Sequence, residues 1–106
     1  MAMEMTTTEE IMEQYFDKPI VTVLTAIRTE SRFLEDTARR ISQLKFVEDV
    51  FVVTGDCDIF VKAKFPSYAD FKNFIMNELS KIEGVTETKT MLVITTYKER
   101  GLIFED

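Results

Sequence analysis

A chain of 106 residues is long enough for one domain with a core of its own and too short for two ordinary ones. Its formal net charge of −6 argues against a surface that attracts phosphate backbones, so direct nucleic-acid binding is not expected, and the absence of histidine removes the usual general base and the commonest transition-metal ligand. Cys57 is the sole cysteine, nothing at the start resembles a signal peptide and no apolar run could cross a bilayer, which together predict a reduced cytoplasmic setting and no membrane partner.

Near the start, Thr7 and Glu10 have the spacing of a helix-opening capping box, and Ile11, Met12, Tyr15 and Phe16 fall on one stripe, so a short helix is predicted over residues 9–16. Pro19 stops it, and residues 1–18 read as a lead to the main domain. Residues 20–28 read as a strand with both faces apolar: Val21, Val23 and Ile27 on one, Ile20, Leu24 and Ala26 on the other. Ser31 is the expected N-cap of a helix over 32–44, with Leu34, Ala38, Ile41 and Leu44 inward. Glu35 with Arg39, and Asp36 with Arg40, are four apart in the favourable acid-then-base order and read as a solvated face.

Two strands are predicted next, over 47–54 and 59–65, the second alternating Ile59, Val61, Ala63 and Phe65 with Phe60, Lys62 and Lys64. Between them stands Thr54-Gly55-Asp56-Cys57-Asp58, a hairpin turn with a Gly able to take positive φ and Asp residues that tolerate the turn. Two carboxylates and a run of turn amides at one tip are groups that can hold the ammonium and the carboxylate of a small zwitterion. Ordinary turn chemistry explains the same residues.

Ser67 with Asp70 reads as a second helix opening, Phe71, Phe74, Ile75, Leu79 and Ile82 keep helical spacing to about Ile82, and Gly84 suits the C-terminal cap. A long last strand is predicted over 85–97, with Thr86, Thr88, Thr90, Leu92, Ile94 and Thr96 on one face and Met91, Val93 and Tyr97 on the other. Residues 99–106 are left as a mostly polar arm or loose end. The order β-α-β-β-α-β predicts an α+β, ferredoxin-like fold over 19–98: four antiparallel strands with two helices on one face. With Ile20, Leu24, Phe51, Val53, Leu92 and Ile94 assigned to it, the other face would be a large apolar patch, expected to be buried against a second copy.

The stretches VTVLTAIRTE, KFVEDVFVVTGDCDIFVKAKFPSYADFKNFI and ELSKIEGVTETKTMLVITTYKE, in this order, resemble the effector-binding (RAM) domain of the Lrp/AsnC family over residues 20–98. The resemblance implies a homodimer that assembles into larger rings, often octamers, with an amino-acid effector bound where dimers meet and no cofactor. It places Gly55, Asp56, Cys57 and Asp58 on the family's hairpin motif and Thr88 and Thr90 on its Thr-x-Thr, as ligand-binding residues; Cys57 stands where an aromatic residue is common. In that family a DNA-binding helix-turn-helix usually precedes the domain. One helix before Pro19 cannot supply both of its helices, so the resemblance is to a stand-alone member.

Three functions follow from this. The first is a sensor binding an amino acid at subunit interfaces in transcription regulation. The second is a structural partner that forms mixed oligomers with full-length DNA-binding relatives and needs no ligand of its own. The third, an enzyme, would need Asp56, Asp58, Tyr15, Tyr68 or Tyr97 to replace histidine and is not expected. A carboxylate site for a hard cation from Glu48, Asp49, Asp56 and Asp58 lacks any recognised calcium-loop spacing, so no metal is expected.

Overall fold

The alternation that makes both faces of the first strand apolar also makes it central. In the computed structural model, which describes residues 20–104, β1 (Val21–Thr29) pairs antiparallel with β3 (Ile59–Phe65) on one side and β4 (Val85–Leu92) on the other. β2 (Val47–Val52) pairs with β3, giving a four-stranded antiparallel sheet in the order β2-β3-β1-β4. The chain between β1 and β2 forms α1 (Leu34–Ser42), and that between β3 and β4 begins with α2 (Tyr68–Asn73). This is the ferredoxin-like split βαβ arrangement, as the order of elements predicts. The helix expected over 9–16, like all of 1–18, lies outside the described residues.

The core lies between the sheet and the helices. Val23 and Ile27 of β1 and Ile59, Val61, Ala63 and Phe65 of β3 are fully buried against Ile41, Phe74 and Leu79. Each large apolar side chain so removed from water contributes about 1.5–3 kcal/mol. Phe65 gathers the rings of Phe46, Phe71 and Phe74 at 5.6, 5.7 and 5.1 Å between centroids, in edge-on and tilted arrangements suited to aromatic quadrupoles. Two polar side chains are also fully buried and both are bonded: Thr37 donates to the Glu83 carbonyl at 3.0 Å, and the Thr25 hydroxyl lies 3.3 Å from that of Thr90. Gly84, at φ +99°, is where the turn before β4 meets α1; a Cβ there would stand 2.6 Å from both Phe33 Cβ and Thr37 Oγ1.

Local expectations fare unevenly. Ser67 caps α2, its hydroxyl accepting from the Asp70 N–H at 3.2 Å, and Arg39 and Arg40 lie 3.6 and 3.2 Å from Glu35 and Asp36. Ser31 does not cap α1. It opens a 3-10 turn (Ser31–Phe33) that is fixed by backbone bonds, Phe33 N–H to the Glu30 carbonyl at 2.9 Å and Glu30 N–H to the Gly84 carbonyl at 3.2 Å. The second helix does not stay regular to Ile82: after Asn73 it widens into a π-helical turn (Phe74–Glu78) and tightens into a 3-10 turn (Leu79–Lys81). That change of pitch accompanies the burial of both Phe74 and Leu79, at a spacing of five.

The last strand ends at Leu92 rather than Tyr97. β1 begins at Val21, so the Val93 N–H bond to the Thr22 carbonyl is the last one β1 can supply. After a stretch without regular structure, β5 (Lys98–Glu99) and β6 (Leu102–Ile103) pair as a separate hairpin through Arg100-Gly101, at φ +53° and +81°. Two positive φ values in a two-residue loop are the geometry that matches strand twist; a non-glycine there costs roughly 1–2 kcal/mol, part of which Arg100 recovers by its 3.2 Å ion pair with Glu48.

Register also revises the open face of the sheet. Leu92 pairs with Val23 and so lies on the helix side of an edge strand, half exposed because the helices do not reach over it, and Ile94 lies beyond the strand. The open face is instead formed by Leu24, Ala26, Phe51, Phe60 and Met91, together with Lys62, Lys64 and Lys89.

Candidate functional site

The β2–β3 connection carries the acidic motif. The Val53 N–H bonds the Asp58 carbonyl at 3.0 Å, which leaves Thr54, Gly55, Asp56 and Cys57 as the loop. Gly55 adopts φ +117° with open space where a Cβ would be, so the conformation, not crowding, calls for glycine. The loop stands at one end of the sheet, beside the end of β1, because the Asp58 N–H donates to the Ile27 carbonyl at 2.9 Å.

The two carboxylates of this loop differ in what they touch. Asp58 turns back, and its Oδ2 accepts the Thr29 N–H at 2.9 Å, tying the tip to β1. Asp56 is exposed and has no hydrogen bond or ion pair among the described residues. The N–H groups of Thr54, Gly55, Asp56 and Cys57 likewise donate to no group among the described residues. Cys57 is half-buried with a free thiol. The tip therefore presents an unengaged carboxylate beside unengaged amides, on a loop braced by Asp58.

Thr88 and Thr90 stand elsewhere within one copy. Thr88 pairs with Ile27, which also pairs with Ile59, so the tip and Thr88 flank β1 at the same end of the sheet, about 10 Å apart at the usual strand spacing. Thr88 is exposed, while Thr90 is spent in part on Thr25. The carboxylates weighed for a cation are not brought together: Glu48 faces Arg100 and Lys62, Asp58 holds Thr29, and no group of three or more metal-ligating side chains gathers among the described residues.

A second charged centre was not foreseen. On the open face the Glu99 carboxylate, from the β5–β6 hairpin, accepts from Lys62 Nζ and, at 3.1 Å, from Lys64 Nζ; Lys62 Nζ lies 3.8 Å from Glu48. The hydrogen bond from Lys62 holds the Glu99 carboxyl below its ordinary range; burial opposes the shift and Lys64 reinforces it. Arg100-Gly101 between Lys98-Glu99 and Leu102-Ile103 was the available signal for this hairpin.

Fold and site together define a ferredoxin-like α+β domain with an acidic, open hairpin tip. No helix among the described residues is long and apolar enough to cross a membrane. Residues 22–103 match the family described as the Lrp/AsnC ligand binding domain, and the chain belongs to that family. An HTH-type transcriptional regulator of Pyrococcus abyssi is 35% identical over 79 residues, covering 74% of this chain and 53% of that protein. The chain thus spans about half the length of the curated relatives it matches. The same fold is seen in a protein of Thermus thermophilus (TM-score 0.70, 23% identity, 74% of this chain and 99% of that one). It recurs in a transcriptional regulator of Neisseria meningitidis solved as its L-Met complex (TM-score 0.70, 20% identity, 78% and 55%).

Proposed function

We propose that this domain is an amino-acid sensor, not an enzyme: it binds a free amino acid at the β2–β3 tip, where copies of the chain meet, and the bound ligand shifts the assembly through which transcription is regulated. The observation that carries this is the unengaged Asp56 carboxylate beside free turn amides, on a loop that Asp58 braces. An α-ammonium pairs with Asp56, an α-carboxylate takes the amides, and Gly55 lets the ligand approach the backbone. Thr88 and Thr90 of a neighbouring copy complete the pocket, because within one copy β1 separates them from the tip. A ligand touching two copies favours the assembly by its differential affinity for it. The membership in the Lrp/AsnC ligand-binding family and the L-Met complex of the Neisseria meningitidis regulator support an amino acid as the ligand class.

Calorimetry of the full chain against the twenty amino acids tests the reading. At least one binds, and Asp56→Ala abolishes that binding while the protein stays folded; no heat with any of them refutes it. The mixed-oligomer role draws on the open face alone, and it is favoured if the chain co-purifies with a helix-turn-helix relative while binding no amino acid.

A further inference from the structure

The open face of the sheet is divided. Toward the acidic tip it is mostly apolar, with Phe51 54% exposed and Phe60 and Ala26 in the same row across β2, β3 and β1, a row that Lys89 ends on the edge strand β4. Toward the other end it carries two ammonium groups, Lys62 and Lys64, on the strand at the middle of the sheet. An isologous contact through this face would bring in Lys62 and Lys64 of both copies, four cations from the inner strand β3 with their hydration to remove.

We propose that the β5–β6 hairpin is a neutralising cover that makes this face fit to bind a second copy of the chain, with Glu99 as the pin that holds it. The inference rests on the reading above, in which copies assemble. Glu99 accepts from both lysines, and its side chain and that of Lys62 are only 18% and 17% exposed. Arg100 closes the end of the hairpin onto Glu48, and Asp49 lies directly across from Lys62 in the strand register. Three cations thus meet two carboxylates, Glu99 and Glu48, with Asp49 in the neighbouring register position. Leu102 and Ile103 of the hairpin, and Tyr97 just before it, are exposed. In the half nearer the tip Arg28 is matched by Glu87 at 3.7 Å, and Lys89 stands exposed on the edge strand. In a chain whose net charge of −6 makes copies repel, a face whose two inner-strand ammonium groups are already paired within the copy is the one suited to self-contact.

The test is sedimentation velocity on the full chain across a concentration series, comparing wild type, Glu99→Gln and the triple variant Glu99→Gln/Lys62→Met/Lys64→Met, with far-ultraviolet circular dichroism to confirm folding. Glu99→Gln keeps the size of the side chain but loses its charge, and raises the dimer Kd by about tenfold or more, since each copy contributes the loss. The triple variant returns it to near the wild-type value. A wild-type dimer whose Kd is unchanged in folded Glu99→Gln overturns the role of the hairpin alone. A wild type that stays monomeric overturns the self-assembly on which it rests. Should Glu99→Gln fail to fold, the triple variant decides: a tight dimer supports the cover, a monomer overturns it.

Discussion

The two carboxylates at the β2–β3 tip should separate cleanly when each is replaced by alanine. Asp58→Ala removes the acceptor of the Thr29 N–H, a 2.9 Å bond to a charged group in a partly buried setting. Hydrogen bonds to charged groups contribute about 1.5–3 kcal/mol, and the donor left behind is a backbone amide at the end of the central strand. Partial exposure places the expected loss near the lower end, about 1.5–2 kcal/mol, or roughly 6–15 °C in Tm for a domain of this size. Asp56→Ala removes a side chain with no partner among the described residues and should stay within about 0.5 kcal/mol of wild type. Urea and thermal unfolding at pH 7, followed by circular dichroism, measure both. Equal losses, or a larger loss for Asp56→Ala, would show that the brace has been assigned to the wrong carboxylate.

Gly84→Ala forces a Cβ to within 2.6 Å of Phe33 and Thr37 at φ +99°, so a loss of about 3 kcal/mol is expected. Gly101→Ala has a similar backbone strain with nothing within 4 Å, and should cost only about 1 kcal/mol; a comparable loss in both would remove the packing argument. Phe74→Ala takes a fully buried ring out of the Phe65 cluster and should cost about 3–5 kcal/mol in urea unfolding, with a result below about 2 kcal/mol indicating that the cluster collapses around the gap. The Glu99 carboxyl is held below its ordinary value of 4.5, so the folded state binds that proton more weakly than the unfolded chain. Its contribution is therefore fully present above about pH 4.5 and is lost as pH falls through the lowered folded value. The stability gap between wild type and Glu99→Gln, about 1 kcal/mol at pH 7, should narrow on acidification, and a gap that widens would contradict the sign.

The sheet was legible because its signals are local and redundant. The strict alternation of Ile59 to Phe65 specifies both a strand and its buried face, and the Ser67 and Asp70 pair specifies a helix start through one bond between close neighbours. What sequence could not supply is what depends on a distant partner. The alternation of Thr86 to Ile94 runs on past Leu92, but the strand cannot, since β1 starts only at Val21; the same register turns Leu92 away from the face it had been assigned to. The location of the tip followed from Gly55 and its aspartates. Which aspartate is free did not, because that depends on where the end of β1 places the Thr29 N–H.

The same register explains why ligand recognition and self-contact can be altered one at a time. β3 runs from the acidic tip at Ile59 to Phe65 at the far end, so Asp56 and the Lys62–Glu99–Lys64 centre are carried toward opposite ends of one rigid strand. No bond or ion pair among the described residues connects them. Asp56→Ala should then abolish ligand binding without changing the ligand-free dimer Kd, while Glu99→Gln should weaken the dimer and lower ligand affinity only as far as the assembled fraction falls. Calorimetry repeated over a range of protein concentrations distinguishes the two: raising the concentration restores ligand affinity in Glu99→Gln and does nothing for Asp56→Ala. If Asp56→Ala alone weakened the ligand-free dimer as much as Glu99→Gln does, the tip would itself be a principal self-contact, and the division of labour along β3 would be wrong.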